Sequence, residues 1–118
     1  METHAKVVII GGGVVGCSIL FHLAKFGLKD CILLERKELT SGSSWHAAGN
    51  VHVISNDPNI SRLMAYTIRL YKEIEETSGH STGFKPSGGF YLASNQVWDD
   101  YLKRERSKAR YMGLDQEF

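Results

Sequence analysis

Cysteine, proline, charge imbalance and long apolar runs are all scarce in this chain. Its 118 residues hold two cysteines, Cys17 and Cys31, which neither form a disulfide framework nor show a zinc-ligand spacing. Both read as small buried apolar residues. Lys and Arg total 14 against 13 Asp and Glu, so the formal net charge is +1 and the basic excess of a nucleic-acid binder is missing. The longest purely aliphatic run is Val7–Ile10, far short of a bilayer span. His4, His22, His52 and His80 are scattered and join no cysteine or carboxylate cluster. No nucleic acid, membrane or metal is therefore expected among the partners. The opening residues carry neither a secretory nor an Arg-rich transit pattern. A cytoplasmic protein is expected, or a mitochondrial matrix one if a eukaryotic parent supplies a transit peptide.

What remains is a globular composition, 42% apolar and 23% charged, of a length that suits one domain. Glycine is abundant: there are 12, and four fall between residues 11 and 16. Lys6–Ile10 is short and β-branched without alternation, and predicts a fully buried strand. From Val14 the pattern turns helical, with Val15, Ile19, Leu20, Leu23 and Ala24 on one stripe and Gly27 as the stop. Cys31–Leu34 predicts a second buried strand, closed by Glu35. Strand, helix and strand within about thirty residues imply a parallel crossover.

Farther on, residues 37–56 carry Ser41, Ser43, Ser44, Ser55, Gly42 and Gly49 and predict turns with at most one short helix. Asp57-Pro58 marks a helix start, Gly79 its end, and Ile60, Leu63, Met64, Ile68, Tyr71 and Ile74 its apolar face. Phe90–Ala93 reads as a short strand. Asn95 caps a last helix with Val97, Trp98, Tyr101 and Leu102 as packing positions, and Lys103–Arg110 as a solvated face.

Gly11, Gly13 and Gly16 form G-x-G-x-x-G between a predicted strand and a predicted helix, the context a dinucleotide site requires. Gly11 allows the tight turn, Gly13 the approach of a pyrophosphate, and Gly16 close packing of helix on strand. Amides at the helix start face the phosphates, with the helix dipole adding attraction. Glu35 stands 19 residues after Gly16, where a carboxylate accepts both hydroxyls of an adenosine ribose and repels a 2′-phosphate. This pattern alone does not choose between FAD and NAD.

The stretch Glu38-Leu-Thr-Ser-Gly-Ser-Ser-Trp-His-Ala-Ala-Gly49 does more. It offers hydroxyls at Thr40, Ser41, Ser43 and Ser44, a flat wall at Trp45, and an imidazole at His46. It closely resembles the N-terminal FAD domain of the dimethylglycine and sarcosine dehydrogenase group, within the D-amino-acid-oxidase-like FAD-dependent oxidoreductases. The string Trp45-His46-Ala47-Ala48-Gly49 is its most specific part, and the resemblance continues more weakly over the rest of the chain. It implies an α/β, Rossmann-like FAD-binding domain, here the N-terminal portion with an incomplete parallel sheet and added helices. It implies covalent FAD, with His46 joined to the flavin 8α-methyl. Further flavin contacts follow from Gly42, Ser43, Ser44, Trp45, Ala47, Ala48, Gly49 and Asn50. Helix-start amides come from Val14 and Val15, and adenosine contacts from Glu35 and Arg36. Histidine suits the attachment because its neutral form is populated at physiological pH.

The implied parent oxidises the N-methyl group of a small glycine derivative, dimethylglycine or sarcosine, by hydride transfer to the flavin. Its electron acceptor stays open, and tetrahydrofolate is a further cofactor of a full-length parent. Residues 1–118 are then an N-terminal part of the FAD-binding domain, with substrate and folate portions outside, and no catalytic base is assigned. Two other readings stay open: an amino-acid or amine oxidase with non-covalent FAD, and a non-catalytic nucleotide-binding fragment.

Overall fold

The computed structural model describes residues 4–112. These form two compact units that meet in sequence between Asn50 and Val51.

The first unit is a β-α-β element: β1 (Val7–Ile10), α1 (Val14–Lys25) and β2 (Cys31–Leu34). The strands pair in parallel, Val7 with Cys31 through Ile10 with Leu34. This is a single β-α-β unit of a Rossmann-like fold, as the sequence predicts. Burial differs from expectation. Within β1 only Ile9 is buried, while Val8 and Ile10 are exposed. Parallel strands become buried on both faces when helices cover both, and in this unit α1 alone covers the pair. On α1 the buried residue is Gly16, whereas Val15 and Ile19 are exposed and turn toward the cleft described below. The two thiols are half-buried, each donating to a carbonyl at 3.5 Å, Gly12 for Cys17 and Leu28 for Cys31.

Gly16 fixes how tightly helix and strand meet. A Cβ there would collide with the Gly11 carbonyl oxygen and lie 3.4 Å from Ile9 Cγ2. Gly11 sits at φ +106°, a conformation that L side chains rarely adopt. The turn from β1 into α1 thus needs glycine at both positions, for different reasons.

The second unit holds α2 (Pro58–Ser78) and α3 (Gln96–Tyr111). Asp57 caps α2, its Oδ1 accepting from Asn59 N at 2.7 Å and Ile60 N at 3.4 Å, with Pro58 following. Gly79 ends the helix at φ +70°. Asn95 caps α3 by accepting from Trp98 N at 3.1 Å. The inward faces match the prediction in part. On α2, Met64, Ile68, Tyr71 and Ile74 of the predicted apolar face are half-buried, whereas Ile60 and Leu63 are exposed and Leu70 and Ser61 are the buried residues. The Ser61 hydroxyl accepts from Ser55 N at 2.9 Å, which satisfies it inside. On α3, Glu105 and Ala109 are buried, so Lys103–Arg110 is not a uniformly solvated face. Glu105 is held by Lys108 Nζ at 2.7 Å, and Lys108 also donates to Asn56 at 3.1 Å. Val97 and Trp98 are largely exposed, with Trp98 meeting Tyr101 edge-on.

Phe90–Ala93 is not a strand. Phe90, Tyr91 and Leu92 are exposed, and among the described residues no strand pairs with the segment. A strand needs a partner for its backbone groups. Residues 40–46 form consecutive turns without a helix. No helix of the described residues is long and apolar enough to cross a membrane.

The Gly16 contact yields a direct test. Gly16→Ala is expected to destabilise the protein by about 1–3 kcal/mol, the usual cost of overpacking. Urea unfolding at matched m-value measures it, and an unchanged midpoint would refute the close helix–strand contact.

Candidate functional site

A cleft of about 640 Å³ opens where β1 runs into α1. That volume lies within the range of small-molecule and cofactor sites. Three pieces of chain build it. The glycine turn and helix start contribute Gly11, Gly13, Val14, Val15 and Gly16; the end of β2 contributes Glu35, Arg36 and Lys37; and the serine loop contributes Thr40–Ser44 with Ala47. Ile9, Ile10 and Ile19 form an apolar floor that sequence reasoning assigned to core and helix stripe rather than to the site. The lining itself is what singles them out, since neither periodicity nor spacing separates a cleft floor from a core.

Each piece is tied to the next. Gly11 N donates to the Leu34 carbonyl at 2.8 Å, extending the strand pairing into the turn. Gly12 N donates to Glu35 Oε2 at 2.7 Å, and Lys37 N donates to Glu35 Oε1 at 2.9 Å. Both carboxylate oxygens are engaged by backbone amides, yet each retains a second acceptor site for a ribose hydroxyl. The Gly12 amide, then the Lys37 amide, hold the Glu35 carboxyl below its ordinary value of 4.5.

At the mouth of α1 the first intrahelical bond runs from Cys17 N to the Gly13 carbonyl at 3.0 Å. Val14, Val15 and Gly16 amides therefore have no acceptor within the helix. The Ser44 hydroxyl takes the first of these, accepting from Val14 N at 2.8 Å. Gly13 is the N-cap and has no side chain to offer, so Ser44 caps α1 from 30 residues away. A Cβ on Gly13 would lie 3.2 Å from that hydroxyl. The helix start, an anion-binding feature by charge and by donor direction, faces the cleft through Ser44 and the remaining amides.

The serine loop is closed by short turns: Trp45 N donates to the Thr40 carbonyl at 3.1 Å and to Gly42 at 3.2 Å, and His46 N donates to Ser43 at 3.1 Å. His46 Nδ1 lies 3.0 Å from the Gly42 carbonyl. A carbonyl only accepts, so this contact assigns a proton to Nδ1, and in the neutral imidazole the lone pair is then on Nε2. Trp45 is 78% exposed. The structure does not bring Trp45, His46, Ala48, Gly49 or Asn50 into the cleft wall, although they follow it directly in sequence. His52 is exposed and belongs to the second unit.

A strand, a glycine turn, an open helix start and an acid after the next strand define a dinucleotide-binding unit. Residues 6–118 match the FAD dependent oxidoreductase family. The chain belongs to that family. It is 41% identical over 115 residues to human mitochondrial dimethylglycine dehydrogenase, covering 98% of this chain and 13% of that protein. It is 42% identical over 116 residues to human mitochondrial sarcosine dehydrogenase, with the same shares covered. To the 4-methylaminobutanoate oxidase (formaldehyde-forming) of Paenarthrobacter nicotinovorans it is 34% identical over 118 residues, all of this chain and 14% of that protein. The chain thus spans about one seventh of the length of these relatives.

Glu35 makes the site sensitive to acid. Its pKa is depressed in the folded state, so its stabilisation is complete above 4.5 and is lost as pH falls through the lower folded value. Glu35→Gln is expected to lower the thermal midpoint at neutral pH. The gap to wild type should close on acidification below that value. A gap independent of pH would show that the two amide bonds do not act through the charge.

Proposed function

We propose that this chain is the FAD-binding segment of an oxidoreductase that oxidises the N-methyl group of a small amino acid, dimethylglycine or sarcosine. The observation that carries the reading is the α1 start opening into a cleft between Glu35 and the serine loop. The names of the relatives support the substrate class. Residues 1–118 then form an N-terminal part of the FAD-binding domain, with substrate-binding and folate-binding portions elsewhere in the parent. The setting is an aqueous compartment, cytoplasm or mitochondrial matrix. When bound, the flavin supplies a two-electron acceptor for a C–H bond beside nitrogen.

The residues divide the work. Gly11 and Gly13 let a diphosphate approach the backbone, and the α1 amides donate to it. Glu35 accepts from the ribose of the adenosine half, beside Arg36. Gly42, Ser43, Ser44 and Ala47 meet the middle of the dinucleotide from the opposite wall. His46, with its proton on Nδ1, keeps a lone pair on Nε2 for attachment to the flavin 8α carbon. Trp45, Ala48, Gly49 and Asn50 flank that histidine and contact the flavin end. The second reading is an amino-acid or amine oxidase with the same cleft and FAD held without a covalent bond; the relative named as an oxidase bears on the reaction alone, not on how the flavin is held.

Acid precipitation of the full-length protein separates the two. Flavin that stays in the washed pellet, and on the peptide containing His46 by mass spectrometry, is the expected result. His46→Ala should move all flavin to the supernatant. Flavin released from the wild type would favour the second reading, and protein with no flavin at all would overturn both. Gly13→Val, which sets a branched side chain against Ser44 and the diphosphate path, should abolish flavin binding; normal flavin content would contradict the assignment of the cleft.

A further inference from the structure

Thr40 is the only non-glycine residue with positive φ among the described residues, at +65°. For a β-branched side chain this is an outlier in L-residue geometry. Such strain persists where the surroundings over-determine it, and it concentrates at functional sites. The surroundings here are specific. Thr40 N donates to the Gly12 carbonyl at 2.8 Å, and the Thr40 carbonyl accepts from Trp45 N at 3.1 Å. The neighbouring Leu39 lies over Gly12 so closely that a Cβ on Gly12 would come within 2.5 Å of Leu39 Cδ2. Gly12 itself is buried, and its amide is already engaged by Glu35.

We propose that Thr40 is a positioning residue for the cofactor cleft: its left-handed backbone and its bond to the Gly12 carbonyl seat the serine loop on the glycine turn. The loop's height over α1 follows from that seat. So does the reach of the Ser44 hydroxyl to Val14 N, and so does the turn in which the His46 ring meets the Gly42 carbonyl. The role belongs to the backbone at position 40, not to the threonine hydroxyl. Only the flavin arm of the test below rests on the function proposed above.

Proline and glycine at this position separate the cases. Proline locks φ near −65° and removes the N–H, destroying both features. Glycine reaches positive φ freely and keeps the N–H. Hydrogen exchange at single-amide resolution is measured on the full-length protein without added cofactor. In Thr40→Pro the Val14 and Trp45 amides are expected to exchange at least about tenfold faster, the loss of a hydrogen-bonded tie, while Gly11 and the strand amides keep their rates. Thr40→Gly is expected to restore wild-type protection. Val14 protection unchanged in Thr40→Pro would overturn the proposal. Should the proline variant fail to fold, the wild type decides. Thr40 and Val14 amides opening together support the seat, and a Thr40 amide exchanging at the free-chain rate overturns it.

In the flavin arm, Thr40→Pro should hold at least about tenfold less flavin per chain than wild type, and Thr40→Gly should stay within about twofold. Equal loading of the proline variant would overturn the proposal. A wild type without flavin would instead sink the functional reading, and the exchange arm still decides this one.

Discussion

Both backbone groups of Gly12 are bonded to the segment that follows β2, and the cleft depends on that double attachment. Its amide reaches the Glu35 carboxylate and its carbonyl receives Thr40 N. Gly12 is buried, so leaving its amide unpaired would carry a desolvation cost of about 1–3 kcal/mol; its carbonyl accepts from the Cys17 thiol as well as from Thr40 N. The bonds to Glu35 and Thr40 hold the chain after β2 folded back over the glycine turn. The fold-back brings serine hydroxyls opposite the helix start. Without it, the turn and α1 would present bare amides to solvent and no opposing wall.

Local ties of this kind carry more of the first unit than its core does. Ile9 is its one buried large apolar side chain among the described residues. A single helix over a pair of strands removes little apolar surface from water, and burial contributes only about 25 cal/mol per Å². Hydrogen bonds between groups distant in sequence therefore set the site's shape: Gly12 with Glu35, Gly12 with Thr40, and Val14 with Ser44. Val15 and Ile19 are exposed, and their apolar side chains line the cleft beside Ile10.

What could be read from the sequence divides along the same line. The β-α-β order, the Asp57-Pro58 start, the Gly79 stop and the Asn95 cap were all legible, because each depends on neighbours within a turn of helix. Glycines 11 and 16 were legible because backbone geometry alone demands them. Ser44 capping α1 was not, since a serine 30 residues downstream carries no local mark of its partner. Thr40 bonds through its backbone N–H and carbonyl, which a hydroxyl-bearing side chain does not announce. Phe90–Ala93 has strand-forming residues but no pairing partner among the described residues, and propensity without a partner does not make a strand. Glu105 looked solvated because charge patterns do not reveal that a lysine three residues on will cover a carboxylate.

The division between cleft wall and His46 bears on the order in which a cofactor would be secured. The wall is built from groups already held in place: amides at a helix start, a carboxylate fixed by two N–H donors, and a hydroxyl bonded to Val14. Such groups bind without first paying to organise themselves. His46 stands outside that wall on a loop of short turns, its ring held through Nδ1 at the Gly42 carbonyl. A nucleophile so placed gains its reactivity from proximity, which must be supplied by something that aligns the partner carbon with Nε2. In the reading proposed here, the grip of the cleft on the dinucleotide does the aligning. Non-covalent binding then precedes attachment and limits it, so lesions in the wall should cost covalent yield as well as affinity. A lesion at His46 should cost the bond and leave the grip.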